Sequence, residues 1–163
     1  MDGAQLATHA AFADLVSELQ PALERLQRMA PVRGGEGLPR DRVPGVYLFS
    51  EAGHPLYVGR TNDLRGRYAR HCRPGATWRM AAFAFRLARE ATGRLKATYR
   101  AGEGSQRALA AEPKFAAAFT AAKASIRAMD FRYVEEARPV HQCILEVYCA
   151  LALGTPYNDF DNH

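Results

Sequence analysis

Long apolar runs are missing from this 163-residue chain. No stretch approaches the roughly 18–20 residues that a membrane-crossing helix needs, so no membrane association is expected. Cysteine is scarce: Cys72, Cys143 and Cys149 are odd in number and form no C-x-x-C pair. That speaks against a disulfide framework and against a structural zinc site. Cys143 and Cys149 lie in an apolar segment and are expected to be buried thiols. The N-terminal residues show no apolar core bounded by a cleavage pattern, so the expected compartment is the reducing cytoplasm. Internal repeats, low-complexity tracts and a convincing linker are also absent. A single domain with a proper core is therefore expected. No zinc-finger or helix-turn-helix pattern is present, which predicts little sequence specificity toward any nucleic acid.

What is present in excess is positive charge, most of it arginine: Lys and Arg number 22 against 17 Asp and Glu, for a net +5. Arg60, Arg65, Arg67, Arg70 and Arg73 fall within fourteen positions. Such a cluster fits a phosphate-rich partner, although a solvated basic face would look the same.

The stretch Gly45–His71, GVYLFSEAGHPLYVGRTNDLRGRYARH, contains this cluster. The apolar run Val46–Phe49, a turn over Glu51–Pro55 and a second run Leu56–Val58 predict a β-hairpin with a loop longer than two residues. Gly59 is expected to end the second strand. Asn62 is the expected N-cap of a following helix, with Asp63 in its first turn where the helix dipole favours a carboxylate. Leu64, Arg67, Tyr68 and His71 then share one helix face. The hairpin delivers Tyr47 and Tyr57, and the helix delivers Arg67 and His71 one turn apart. Each piece alone is more often structural than functional, so their joint spacing carries the argument.

Residues 5–30 show helical periodicity in Phe12, Leu15, Val16, Leu19, Leu23, Leu26 and Met29, interrupted at Pro21. This amphipathic segment is expected to pack on the domain or on a second subunit. Residues 31–44 read as a Gly/Pro-rich connector. Residues 78–90 predict a helix with Met80, Phe83, Ala84 and Leu87 on its apolar face. Residues 92–104, with Arg94, Lys96 and Arg100, read as a polar stretch ending in a Gly-rich break. Another helix is expected to start near Pro113, and a third strand is centred on residues 130–134. Residues 140–153, VHQCILEVYCALAL, lie between Pro139 and Gly154–Pro156, which are helix start and stop signals. From Cys143 to Leu153 this helix is apolar on every side except at Glu146, which predicts burial. A lone carboxylate there must be paired, hydrogen-bonded or metal-bound. An arginine partner and a catalytic or metal-binding role are equally compatible with the segment.

Together these pieces resemble the GIY-YIG nuclease superfamily. Gly45-Val46-Tyr47 matches the first tyrosine motif, and Tyr57-Val58-Gly59 the second. Arg67 matches the arginine of the following helix, His71 the histidine or tyrosine one turn later, and Glu146 the metal-ligand glutamate. Asn158, within Pro156-Tyr157-Asn158, matches the late asparagine. The resemblance covers roughly residues 43–75 and 126–160. It implies an α/β (α+β) fold: a small, three-stranded, mainly antiparallel sheet flanked by helices. The expected division is an N-terminal helical segment, 1–34, and a nuclease-like domain, 35–163, with a helical insertion at about 78–125. Arg60 stands where several relatives have lysine, which keeps the charge and changes the donor geometry. Cys72 has no assignable role.

The resemblance also implies a metal-dependent endonuclease acting on DNA, with Mg²⁺ or Mn²⁺ held through Glu146. Arg67 would be a fixed cation on the scissile phosphate. One of Tyr47 and Tyr57 would be the general base, directly or through His71. The sequence leaves the choice open and favours Tyr47 slightly. Arg60, Arg67 and the metal are expected to favour the phenolate. Asn158 is expected to orient a tyrosine or a phosphate rather than bind metal. Arg60, Arg65, Arg70 and Arg73 are candidate contacts to nucleic-acid backbone. One active site cuts one strand, so double-strand cleavage would need a homodimer or sequential nicking. The alternatives are a binding module that grips nucleic acid or protein without hydrolysis, and a nuclease acting on RNA or single-stranded DNA. Repair, restriction, mobile-element and defence roles are all compatible.

Overall fold

The computed structural model describes residues 3–94, 102, 105–158 and 160, with side chains from Thr8 onward. Lys96 and Arg100, in the polar stretch expected before the Gly-rich break, lie outside the described residues.

The chain forms a three-stranded antiparallel sheet with helices on both faces. Strand β1 (Gly45–Glu51) is central, between β2 (His54–Thr61) and β3 (Asp130–Glu135). A strand covered on both faces should be apolar on both, and β1 is buried from Gly45 to Ser50. Its odd and even positions serve different layers. Tyr47 and Phe49 enter one core with Phe83, Phe115, Ile126 and Phe131. Val46 and Leu48 enter a second with Leu23, Leu26, Leu145 and Cys149.

The first layer contains α3 (Leu64–Cys72), α4 (Ala82–Thr92), the short α5 (Gln106–Ala111) and α6 (Pro113–Ala128). The second contains α2 (Leu19–Arg28) and α7 (Pro139–Leu153). Helix α1 (Gly3–Ser17) precedes α2. The break between them is at Glu18, not at Pro21, because Pro21 lies in the first turn of α2, where a missing N–H costs nothing. Burial of an apolar stripe is seen on α2, whereas Phe12 and Val16 of α1 are exposed.

The hairpin turn is tighter than expected. It is the two residues Ala52 and Gly53, at φ of 49° and 82°, the left-handed pair that matches strand twist. Pro55 belongs to β2, opposite Ser50 at a register shift where no ladder donor is required. Nor does Gly59 end β2, which runs on to Thr61. Gly59 lies opposite Tyr47, and a Cβ there would sit 2.3 Å from Tyr47 Oη. Its role is to leave room for that ring.

The cap of α3 is one residue later than the spacing suggests. Asp63 Oδ1 accepts from Gly66 N at 2.9 Å, and Thr61 Oγ1 accepts from Asp63 N. Helix α4 starts four residues later than expected, because residues 77–81 form a turn in which Thr77 O accepts from Met80 N and Ala81 N. Helix α7 is not buried all round. Val140, Val147 and Leu151 are exposed, and so is Cys143, contrary to the expected buried thiol. Only the side that faces β2, β1 and α2 is covered, and it carries Leu145 and Cys149.

Candidate active site

The first core layer meets α3 at the middle of β1. Tyr47 points there because odd positions of β1 face α3, and Gly59 opposite it leaves space for the phenol. Arg67 and His71, four residues apart on one face of α3, reach the same oxygen. Arg67 Nε donates to Tyr47 Oη at 2.9 Å. His71 Nε2 lies 2.9 Å from Tyr47 Oη, so one hydrogen is shared between them. Tyr47 and His71 are both fully buried. The ring of Tyr47 is fixed by Phe131, stacked at 5.5 Å, and by Phe49, edge-on at 5.8 Å.

Tyr57 projects from β2 beside Tyr47, with ring centroids 6.3 Å apart. It stacks on Phe83 of α4 at 4.8 Å and is partly buried. Tyr57 thus keeps some solvent access that Tyr47 lacks.

Burial dominates the electrostatics. It pushes the Tyr47 phenol far above its ordinary range, and the nearby Tyr57 adds to this, while Arg67 pulls the other way. Tyr57 is also raised, by burial against the opposing pull of Arg67. Arg67 pulls both phenols in the direction of the phenolate, as expected of a neighbouring cation, and desolvation outweighs that pull in the free protein. His71 is pushed down to about 3 by burial, then by the charges of Arg67 and Arg70, so it is neutral at physiological pH. Its Nδ1 is buried and has no hydrogen-bond partner among the described residues. For Arg67, burial works against the charged form, but the two phenols more than compensate and its pKa is raised.

Glu146 comes from the opposite layer, on α7. Its Oε2 accepts from Arg60 Nε at 3.0 Å, and its side chain is 22% exposed. Its charge registers on both phenols, and that of Arg67 registers on it. Burial nonetheless leaves the carboxyl raised above its usual value, despite Arg60. A partly desolvated carboxylate is a hard-oxygen donor that carries one charge. Mg²⁺ commonly binds through one or two carboxylates, with waters and substrate phosphate completing its shell, so Glu146 fits such an ion.

Asn158 is committed to β2. Its Nδ2 donates to Val58 O at 2.8 Å, and its Oδ1 accepts from Val58 N and from Thr155 Oγ1, both at 2.8 Å. It thereby fixes the strand next to Tyr57. Residues that the spacing did not single out hold the same segment. Arg86 donates to Tyr157 O, and Tyr157 Oη donates to Glu90 at 2.5 Å. Arg86 and Glu90 are one turn apart on α4, and that polar pair was the only trace of this role in the sequence.

The remaining arginines differ in availability. Arg65 donates to Pro39 O and Leu38 O, both at 2.8 Å, and so pins the connector onto α3. Arg73 reaches the Met80 sulfur at 3.7 Å. Arg70 is half-exposed beside His71.

Among the described residues, the group of three potential metal ligands lies elsewhere, at Glu18, Glu136 and His141. A guanidinium already fills it: Arg138 donates to Glu18 and to Glu136. The cluster ties the start of α2 to the start of α7.

No family model matches the chain, and no solved structure matches it. Part of the chain is similar to UvrABC system protein C of Deinococcus radiodurans, with 47% identity over 33 residues. That segment is 20% of this chain and 5% of that protein.

Proposed function

We propose that this chain is a metal-dependent endonuclease that hydrolyses DNA phosphodiester bonds at the site built from Tyr47, Tyr57, Arg67, His71 and Glu146. The observation that carries the reading is convergence on one oxygen. Arg67 and His71 both reach Tyr47 Oη at 2.9 Å, with Tyr57 and Glu146 alongside. A core tyrosine needs one hydrogen-bond partner; this one is placed within a cation, a neutral imidazole, a second phenol and a carboxylate. The short likeness to UvrABC system protein C agrees with the resemblance in motif spacing.

The residues divide the work as follows. Arg67 keeps its charge and is partly exposed, and it holds the scissile phosphate and stabilises charge that develops on it. Tyr57, the phenol with solvent access, meets the attacking water. Tyr47 is too deeply buried to do so; its oxygen bridges Arg67 and His71 and holds the guanidinium in place. A divalent ion at Glu146 would neutralise the phosphate and the leaving oxygen. Asn158 and Arg86 act through others, by fixing Val58 and Tyr157.

The test is nicking of supercoiled plasmid by purified protein with Mg²⁺, with and without EDTA, beside Tyr57→Phe and Tyr47→Phe. The expected result is EDTA-sensitive nicking, lost in Tyr57→Phe and weakened in Tyr47→Phe. Full activity of Tyr57→Phe would overturn the role given to it. A protein that shifts DNA on a native gel and cuts neither plasmid nor single-stranded DNA would be a binding module.

A further inference from the structure

The turn between α3 and α4 carries Trp78, the single tryptophan of the chain. It lines a cleft of about 340 Å³ with Thr77, Arg79 and Arg107. The indole packs partly on the core and is only partly exposed. The Arg79 guanidinium lies over the ring at 4.8 Å from its centre. Arg79 and Arg107 are exposed, and neither pairs with a carboxylate among the described residues. An aromatic ring flanked by two exposed cations is the arrangement that stacks a base and holds its phosphates.

A short stretch of chain links the cleft to Arg67. Met80, two residues after Trp78, is reached from Arg67 within α3 and from Arg73 just after it: Arg67 Nη1 lies 3.5 Å from its carbonyl, and Arg73 Nη2 3.7 Å from its sulfur. Two residues span at most about 7 Å, so the backbone of Trp78 lies within about one nucleotide's length of the carbonyl that Arg67 reaches.

We propose that the Trp78–Arg79–Arg107 cleft binds one unpaired nucleotide adjacent to the scissile phosphate, so that the substrate is DNA with a gap or flap rather than a fully paired duplex. This rests on the nuclease reading above. A base inside a duplex has both faces covered by its neighbours and cannot stack on a side chain. An unpaired base can, sliding between the indole and the Arg79 guanidinium while Arg107 takes a flanking phosphate. The site reads pairing state, not sequence, because every base offers a face.

The sole tryptophan makes the test direct. In EDTA, so that nothing is cut, wild-type protein is titrated with a duplex carrying a short single-stranded gap and with its fully paired counterpart. Tryptophan emission is recorded, and binding is followed by anisotropy of a labelled strand. The gapped duplex should quench the emission saturably, and the paired duplex should leave it unchanged. Trp78→Ala should weaken gapped-duplex binding about 5- to 150-fold, the range for loss of one stacked base, with under about twofold effect on the paired duplex. Trp78→Phe should fall between. Arg107→Ala, at an exposed position that folding does not require, should weaken the gapped complex at least about fivefold. Equal quenching by both duplexes, or equal losses on both, would overturn the proposal. Binding without cleavage separates the two readings: a gapped-duplex preference in a protein that never cuts sinks the nuclease alone. Cutting with no such preference sinks this inference alone.

Discussion

Gly59→Ala changes one atom and should damage both stability and activity. The added Cβ would lie 2.3 Å from Tyr47 Oη, 2.4 Å from Cζ and 3.0 Å from Cε1. The backbone at Gly59 is not in the left-handed region, so the cost is purely steric. Tyr47 cannot swing aside, because Phe49, Phe131 and His71 pack its ring at 5.5–5.8 Å between centroids. Overpacking of this kind costs about 1–3 kcal/mol. If the phenol is instead pushed off its partners, relieving the clash, Arg67 loses a bond that involves a charged group, at about 1.5–3 kcal/mol, and His71 a neutral one. Taking about 2 kcal/mol in total, Tm should fall by roughly 4–8 °C for a chain of this size. Nicking should fall further than stability alone explains, since Arg67 loses its anchor. The assays are thermal unfolding by circular dichroism and plasmid nicking at 25 °C. Gly59→Ala/Tyr47→Phe removes the closest clashing atom and should regain part of the lost Tm without regaining activity. A Gly59→Ala protein with unchanged Tm and unchanged nicking would refute the packing argument.

The His71 ring should not titrate between pH 5 and 8 in an NMR experiment, because burial holds its pKa near 3. The unfolded chain binds this proton below the ordinary histidine pKa of about 6.5, and the folded chain does not until about 3. Stability from this group is therefore complete above pH 6.5 and falls by up to roughly 1.4 kcal/mol per pH unit below it; His71→Gln should flatten that acid limb in urea titrations. Nicking should rise with pH at a slope near one in log rate from about pH 7 to 9 without a plateau, since burial raises the Tyr57 phenol above its ordinary value. A plateau below pH 8 would remove Tyr57 as the base. Asn158→Ala loses the bonds to Val58 and Thr155 and should cost about 1–3 kcal/mol in urea unfolding, with a lowered nicking rate.

Much of the architecture was legible because periodicity reports burial. The hairpin, the face shared by Leu64, Arg67, Tyr68 and His71, the strand at 130–134 and the helix before Gly154 all follow from spacing. The errors came from residues with two meanings. Pro55 resembles a turn residue and instead occupies a bulge in β2. Gly59 resembles a strand terminator and instead makes room for Tyr47. Asn62 and Asp63 are both good caps, and only the bond to Gly66 N distinguishes them. The exposure of Cys143, Val147 and Leu151 depends on which neighbours cover α7, which no local pattern encodes. The balance of desolvation against nearby charge at Tyr47 and Tyr57 is tertiary for the same reason. Nor could spacing bring Arg107 into the cleft of Trp78, or Arg86 to Tyr157, since those placements depend on how α4, α5 and the C-terminal segment pack.

The central claim is that Glu146 serves the chemistry and is not merely the partner of Arg60. The most direct measurement is plasmid nicking by Glu146→Ala beside Arg60→Ala and wild type, across a Mg²⁺ titration, with thermal unfolding of each as a folding control. The account predicts that Glu146→Ala folds and does not nick at any Mg²⁺ concentration, while Arg60→Ala folds and still nicks in a Mg²⁺-dependent way. A folded Glu146→Ala protein that nicks like wild type, with unchanged Mg²⁺ dependence, would contradict it.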